Sequence, residues 1–148
     1  NNIFSMYNYL NFSISIVLLF FLLTKLSAQT VNFTIRVTGF KKTSGKIHIA
    51  VYKDKNGFLS PNKVYKKIEL NVNNSIMKHT LSIPAGNYAV ALFHDSNSNG
   101  ICDKNFLGIP LERYGFSNNV RPMLSAPSFI STVVKINQDV QIDIALMK

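Results

Sequence analysis

The chain is poor in cysteine and in acid, and it has no tryptophan. Its 148 residues include a single cysteine, Cys102, so no internal disulfide can form and a disulfide-stapled scaffold is excluded. One thiol with His94 eight residues before it also lacks the paired spacing of a zinc site. Asp and Glu number seven against sixteen Lys and Arg, a formal net charge of +9. So few acids, with no obvious pairing, disfavour a paired-carboxylate glycosidase. Charged residues make up only 16% of the chain and hydrophobic ones 47%, which is too apolar for intrinsic disorder. No repeat or low-complexity tract is evident. The length suits one domain and leaves no room for a multidomain enzyme.

Long apolar runs are also scarce. Leu10 to Leu23 is the one candidate, and its 14 residues fall short of the roughly 20 needed to cross a bilayer as a helix. An apolar run of this length that leads into small residues is the pattern of a secretory signal peptide. Residues 1–28 are therefore read as a signal peptide cleaved after Ala28, with an uncleaved anchor as the competing reading. Membrane contact is expected only if that segment stays attached. The residue directly after Ala28 is Gln29 and not a cysteine, so a lipid anchor is not indicated. The expected location is outside the cytoplasm: periplasmic, outer-surface or extracellular.

Beyond Gln29 the dominant signal is alternation with period two, the mark of strands with one buried face. Val31, Phe33, Ile35 and Val37 alternate with polar residues, and Ile47, Ile49 and Val51 do so after a Ser44-Gly45 turn. A Lys-rich segment from Lys63 to Val72 and another from Ile76 to Ile83 follow, the latter ending at Pro84-Ala85-Gly86-Asn87. Tyr88 to Phe93 is apolar throughout, as expected of a central strand covered on both faces. Ile130 to Ile136 and Val140 to Leu146 alternate again. About seven strands with regular turns and no amphipathic helix predict an all-β antiparallel sandwich of immunoglobulin or transthyretin type over residues 29–148.

Residues 94–128 interrupt this rhythm with a long loop excursion rich in Asn, Gly and Pro, where a site is expected. Its first part, Asp95-x-Asn97-x-Asn99-Gly100-Ile101-x-Asp103, matches the first nine positions of an EF-hand loop. Calcium needs six to eight hard oxygen ligands. Short Asp and Asn side chains on a tightly turning backbone supply them, with the Ile101 carbonyl in the seventh position. The twelfth position is Phe106, not Glu, and no flanking helices are apparent, so a true EF-hand is rejected. Glu112 is the nearest late ligand. The same residues also suit a metal-free turn. Calcium is accordingly the one candidate cofactor, at Asp95, Asn97, Asn99, Ile101 and Asp103.

Further along, Tyr114, Phe116 and Asn118 place aromatic faces beside an amide, a combination that suits a sugar or a peptide. Gly115-Phe116-Ser117-Asn118-Asn119 also fits a loop cap, since Gly and Asn accept positive φ. A hydrolase using Ser117, His94 and Asp95 can be drawn on paper, but Gly-Phe-Ser-Asn-Asn is not the Gly-x-Ser-x-Gly elbow. His94, after a buried strand, reads as a hydrogen-bonded structural histidine, and His48 as an exposed one.

From Gly45 onward the chain resembles an uncharacterised family of exported bacterial proteins, the domain of unknown function 2141 family. The residues that carry the resemblance begin with Gly57-Phe58-Leu59 and Pro84-Ala85-Gly86-Asn87-Tyr88-Ala89-Val90, then Phe93-His94-Asp95 and Asn97-x-Asn99-Gly100. Asn105-Phe106-Leu107-Gly108-Ile109-Pro110, Tyr114-Gly115-Phe116-Ser117-Asn118-Asn119 and Pro127-Ser128-Phe129 continue it. The resemblance implies an exported β-sandwich with no assigned activity.

The expected function is a non-catalytic cell-envelope module that binds or supports a partner, whether envelope protein, peptide or glycan. The alternatives are the small hydrolase and a basic binder of anionic envelope polymer. Residues 36–78 hold ten bases and two acids, whereas residues 79–148 balance at five each, so the basic excess lies away from the Asp/Asn loop. The Lys-rich strands interleave no aromatic stacking platform, so nucleic acid is not an expected partner.

Overall fold

A computed structural model describes residues 30–123 and 125–148. Residues 1–28, which the sequence reading takes as a signal peptide, lie outside the described residues.

Two sheets face each other across an apolar core. The first has three strands in the order β4-β1-β8, formed by Met77–Pro84, Thr30–Thr38 and Val140–Ala145. The second runs β3-β2-β5-β6, from Lys66–Asn71, Lys46–Tyr52, Gly86–Asp95 and Arg113–Phe116. A short β7, Val134–Ile136, pairs with the first residues of β5 on the edge that β6 uses further along. Alternation decides which side chains go inside. Phe33, Ile35 and Val37 of β1 and Ile144 of β8 meet Ile47, Ile49 and Val51 of β2 and Tyr88, Val90 and Leu92 of β5.

The all-β sandwich is as the sequence predicts, with three differences. The pairing of β1 with β8 is parallel, not antiparallel, with Phe33 opposite Val140 and Val37 opposite Ile144. A parallel pair needs a long crossover, and here the rest of the domain supplies it. Second, Ile130 to Thr132, read as the start of a strand, belong to a single helical turn, Phe129–Thr132 (α1). Ser128 caps it by accepting the Ser131 amide at 3.2 Å, which beats the weak alternation of a four-residue stretch. Third, the excursion contains β6, and a 3-10 turn at Ser117–Asn119 follows it.

The loop cap forms as expected, with Asn118 and Asn119 both at positive φ. Asn118 donates to the carbonyls of Ser131 and Val133, and Asn119 accepts the Ala145 amide and donates to the Asp143 carbonyl. The two amides thereby tie this turn to α1 and to β8. Gly115 serves a different need: a Cβ there would lie 2.7 Å from Ile144 Cγ2, so the close approach of β6 to β8 requires its absence.

Candidate functional site

Register places a second set of side chains on the outer face of the β3-β2-β5-β6 sheet. Glu69, His48, Phe93 and Tyr114 form one cross-strand row, and Lys67, Ala50, Ala91 and Phe116 form the next. Tyr52 extends the face at the end of β2. The two alanines leave a low floor between rings, and Cys102, Lys104 and Leu107 to Pro110, with Pro122, Met123 and Ser125, rise beside it. The result is an open, mostly apolar groove of about 860 Å³. That volume is in the range of sites for small organic ligands. Leu107, Ile109 and Met123 line it yet remain solvent-exposed, Met123 almost fully. The expectation that β5 is covered on both faces is corrected here. Its even-numbered side chains are core, while Ala91 and Phe93 are only half-covered.

Several contacts hold the rings in place. His48 stacks on Phe93 with centroids 4.7 Å apart and planes 6° apart. Tyr114 and Phe116 meet edge to face at 5.8 Å, and Phe58 packs its edge against Tyr52 at 5.2 Å. Leu59, on the rim, sits at φ +66, a conformation that a leucine adopts only when its surroundings enforce it. Cys102 also lines the groove, and burial raises its thiol pKa, with the negative charge of Glu112 adding to the effect.

The Asp/Asn loop abuts this groove, and the structure brings its predicted residues together. Asp95 is fully buried, with Oδ1 accepting the Asn99 amide at 3.2 Å and Oδ2 the Gly100 amide at 2.8 Å. Gly100 holds φ +84, the tight turn that the pattern requires. Asn97 Oδ1 accepts the Asn99 amide and Asn99 Oδ1 accepts the Ile101 amide, while both side-chain amides donate to Asp103. Burial pushes the Asp95 carboxyl pKa upward. The Gly100 amide, His48 and the Asn99 and Ser98 amides outweigh it and hold the group below 3.8.

His48 departs from expectation. It is not an exposed strand residue but a largely covered link between groove and loop, with a side chain 13% exposed. Its Nε2 lies 3.2 Å from Asp95 Oδ2 and its Nδ1 3.6 Å from Glu69 Oε2. Lys46 completes the row on Glu69, which raises the lysine pKa and lowers that of the glutamate through their hydrogen bond.

Glu112 enters the loop from β6's approach. It is only 7% exposed, Oε1 accepts the Ser96 amide at 2.9 Å, and Oε2 is buried without a hydrogen-bond partner. Burial raises its pKa above 4.5, against the help of the Ser96 amide. Among the described residues, no three Asp, Glu, His or Cys side chains already stand in a metal-holding group.

The other candidates are placed as follows. Tyr114 and Phe116 line the groove, whereas Asn118 spends its amide on the loop cap. Ser117 is fully buried, accepts the Val90 amide and donates to the Thr132 carbonyl. His94 points to the core side, hydrogen-bonded to the Ser44 carbonyl at 2.7 Å with Phe40 edge-on. Ser117 is bonded at Val90, four residues down β5 from His94, or roughly 13 Å at strand rise. Ser117, His94 and Asp95 are thus not brought together.

The fold is an all-β sandwich with one elaborated loop and a groove on its outer face. Residues 35–143 match the model of a family described as uncharacterized protein conserved in bacteria (DUF2141), and the chain belongs to that family. No curated protein and no solved structure matches it.

Proposed function

We propose that the chain is exported and serves as a non-catalytic binding module of the cell envelope, with its ligand seated in the groove. The observation that carries this reading is the outer face itself. Four aromatic rings and a stacked histidine border a low floor of two alanines, and apolar residues stay exposed beside it. A concave, mostly apolar floor rimmed by aromatic rings is the usual lining of a site for a small organic ligand. Two measurements test it. N-terminal sequencing of the chain recovered from the envelope fraction is expected to begin at Gln29. The neutral apolar probe N-phenylnaphthylamine is expected to bind saturably, to lose about tenfold in affinity in Phe93→Ala/Tyr114→Ala, and to bind unchanged in Ile130→Ala, whose side chain is exposed elsewhere. Equal binding by both variants overturns the groove reading.

One observation favours calcium as a second component. Glu112 Oε2 is a buried carboxylate oxygen with nothing bonded to it, next to a loop that carries Asp103, Asn97 and Asn99. In this reading the two amides turn their oxygens inward and a calcium ion takes the place of their hydrogen bonds to Asp103. Few carboxylates contribute, so the affinity expected is that of extracellular modules, about 0.1–1 mM.

A further inference from the structure

We propose that the ligand of the groove is a single-chain amphiphile with one anionic head, a carboxylate or a phosphate. The inference rests on the groove being a binding seat and adds the chemistry of its occupant.

The lining decides between ligand classes. A glycan needs a hydrogen-bond partner for most of its hydroxyls, and sugar sites supply side-chain carboxylates and carboxamides. The described lining residues include no Asp, Glu, Asn or Gln. Their charged members are Lys67, Lys104 and Lys148, all exposed and all cationic. His48 also lines the groove, but its two nitrogens already face Glu69 and Asp95. What remains is an apolar trough with positive charge at its margin. An apolar chain satisfies the trough and one anionic group satisfies the margin.

The shape agrees. The row Lys67-Ala50-Ala91-Phe116 crosses four adjacent strands, so its Cα atoms span roughly 14 Å at the usual strand spacing. Two methyl-sized side chains in mid-row make this a channel across the sheet with a lysine at one end and a phenyl ring at the other. A flexible hydrocarbon chain fills such a channel without directional bonds, and each methylene taken out of water adds to the affinity. The lysines are solvated, so they contribute modestly and in a salt-dependent way.

The test is displacement of N-phenylnaphthylamine by laurate, lauryl phosphate, lauryl alcohol and lauryl trimethylammonium, all below their micelle-forming concentrations, with direct calorimetry of laurate alongside. The two anions are expected to bind about tenfold more tightly than the alcohol and the cation weakest of all. The anionic preference should shrink at high salt. In Lys67→Gln/Lys104→Gln/Lys148→Gln the anion's advantage over the alcohol should disappear, whereas Ile130→Ala should leave the order of the four ligands as it is. A stronger response to phosphate than to carboxylate, or the reverse, assigns the head group. If the probe binds but the alcohol matches laurate, or the preference survives the triple substitution, the amphiphile proposal fails while the groove reading stands. If neither the probe nor laurate binds, both fail together.

Discussion

His48 lies flat on Phe93 at 4.7 Å and turns its Nε2 to Asp95 at 3.2 Å, so one imidazole belongs to both the groove floor and the Asp/Asn loop. The strand register makes this arrangement. His48 and Phe93 are cross-strand partners, and Lys46 opposite Asp95 is the next outer pair. The loop that follows Asp95 therefore starts at the edge of the floor, and its continuation, with Cys102 and Lys104, becomes a groove wall.

That double duty can be separated. His48→Phe keeps a ring on Phe93 and removes the partner of Asp95, whereas His48→Ala removes both. N-phenylnaphthylamine affinity should be nearly unchanged in His48→Phe and should fall several-fold in His48→Ala, since an aromatic pair is worth about 0.5–1.5 kcal/mol beyond its buried area. Equal losses in the two variants would show that the polar link, not the stack, holds the floor.

Ser117 is a structural hydroxyl. Ser117→Ala leaves the Val90 amide and the Thr132 carbonyl without their partner in a fully buried site. Urea denaturation should show a loss of about 1–3 kcal/mol, the cost of stranding buried polar groups. A loss below a few tenths of a kcal/mol would contradict that role.

Gly115 sets how closely β6 approaches β8. Gly115→Ala should cost about 1–3 kcal/mol by overpacking against Ile144 and Leu92, whose Cδ1 lies 3.2 Å from the added Cβ. Because the clash is with Ile144 Cγ2, the cost should couple to that residue. The double variant with Ile144→Ala should be less unstable than the summed single effects, as measured in a double-mutant cycle. Strict additivity would place the strain elsewhere.

Glu112 gives a pH signature whose sign follows from its raised pKa. Between the unfolded value near 4.5 and the higher folded value, the native state holds more protons than the unfolded one. Stability contributed by this group therefore falls as pH rises through that window. In chelator at neutral pH, Glu112→Gln should melt higher than the parent chain, and the gap should close below pH 4.5. In several millimolar calcium the parent chain should gain melting temperature through linkage while Glu112→Gln does not, reversing the order. A parent chain whose melting is the same in calcium and chelator removes calcium from the reading.

Asp95 behaves oppositely. Its folded pKa is below 3.8, so the stability it contributes is present above that value and is lost as pH falls through the folded one. Asp95→Asn should flatten the acid limb of the pH–stability curve, measured by urea unfolding, while leaving the limb that Glu112 governs in place.

Much of the architecture could be read from period two alone. The inward sets Val31-Phe33-Ile35-Val37 and Ile47-Ile49-Val51 are core in the fold, and the Asp95-to-Asp103 pattern forms a closed hydrogen-bonded loop. The parallel mate of β1 was not legible, because alternation says which face is buried and nothing about strand direction. Strand β6 was hidden because Arg113–Phe116 is four residues long and carries a glycine where a core side chain would announce a strand. The groove was hidden for a related reason. Ala50, Tyr52, Ala91 and Phe93 are all apolar, and an apolar residue at an outward position looks the same whether another layer covers it or a ligand does. Only the absence of a helix long enough to lie across that face hinted at the difference.

The parallel pairing of β1 with β8 has a consequence for how the chain acquires its shape. Asn32 and Asp139, 107 positions apart in the sequence, are joined by two hydrogen bonds. Until β8 is in place, the strand at the middle of the three-stranded sheet has one bare edge, a template for pairing with another molecule. Closing so long a loop also makes folding slow relative to locally connected folds. Assembly of this domain is therefore an end-to-end event: its first strand is safe from self-association only once its last has arrived.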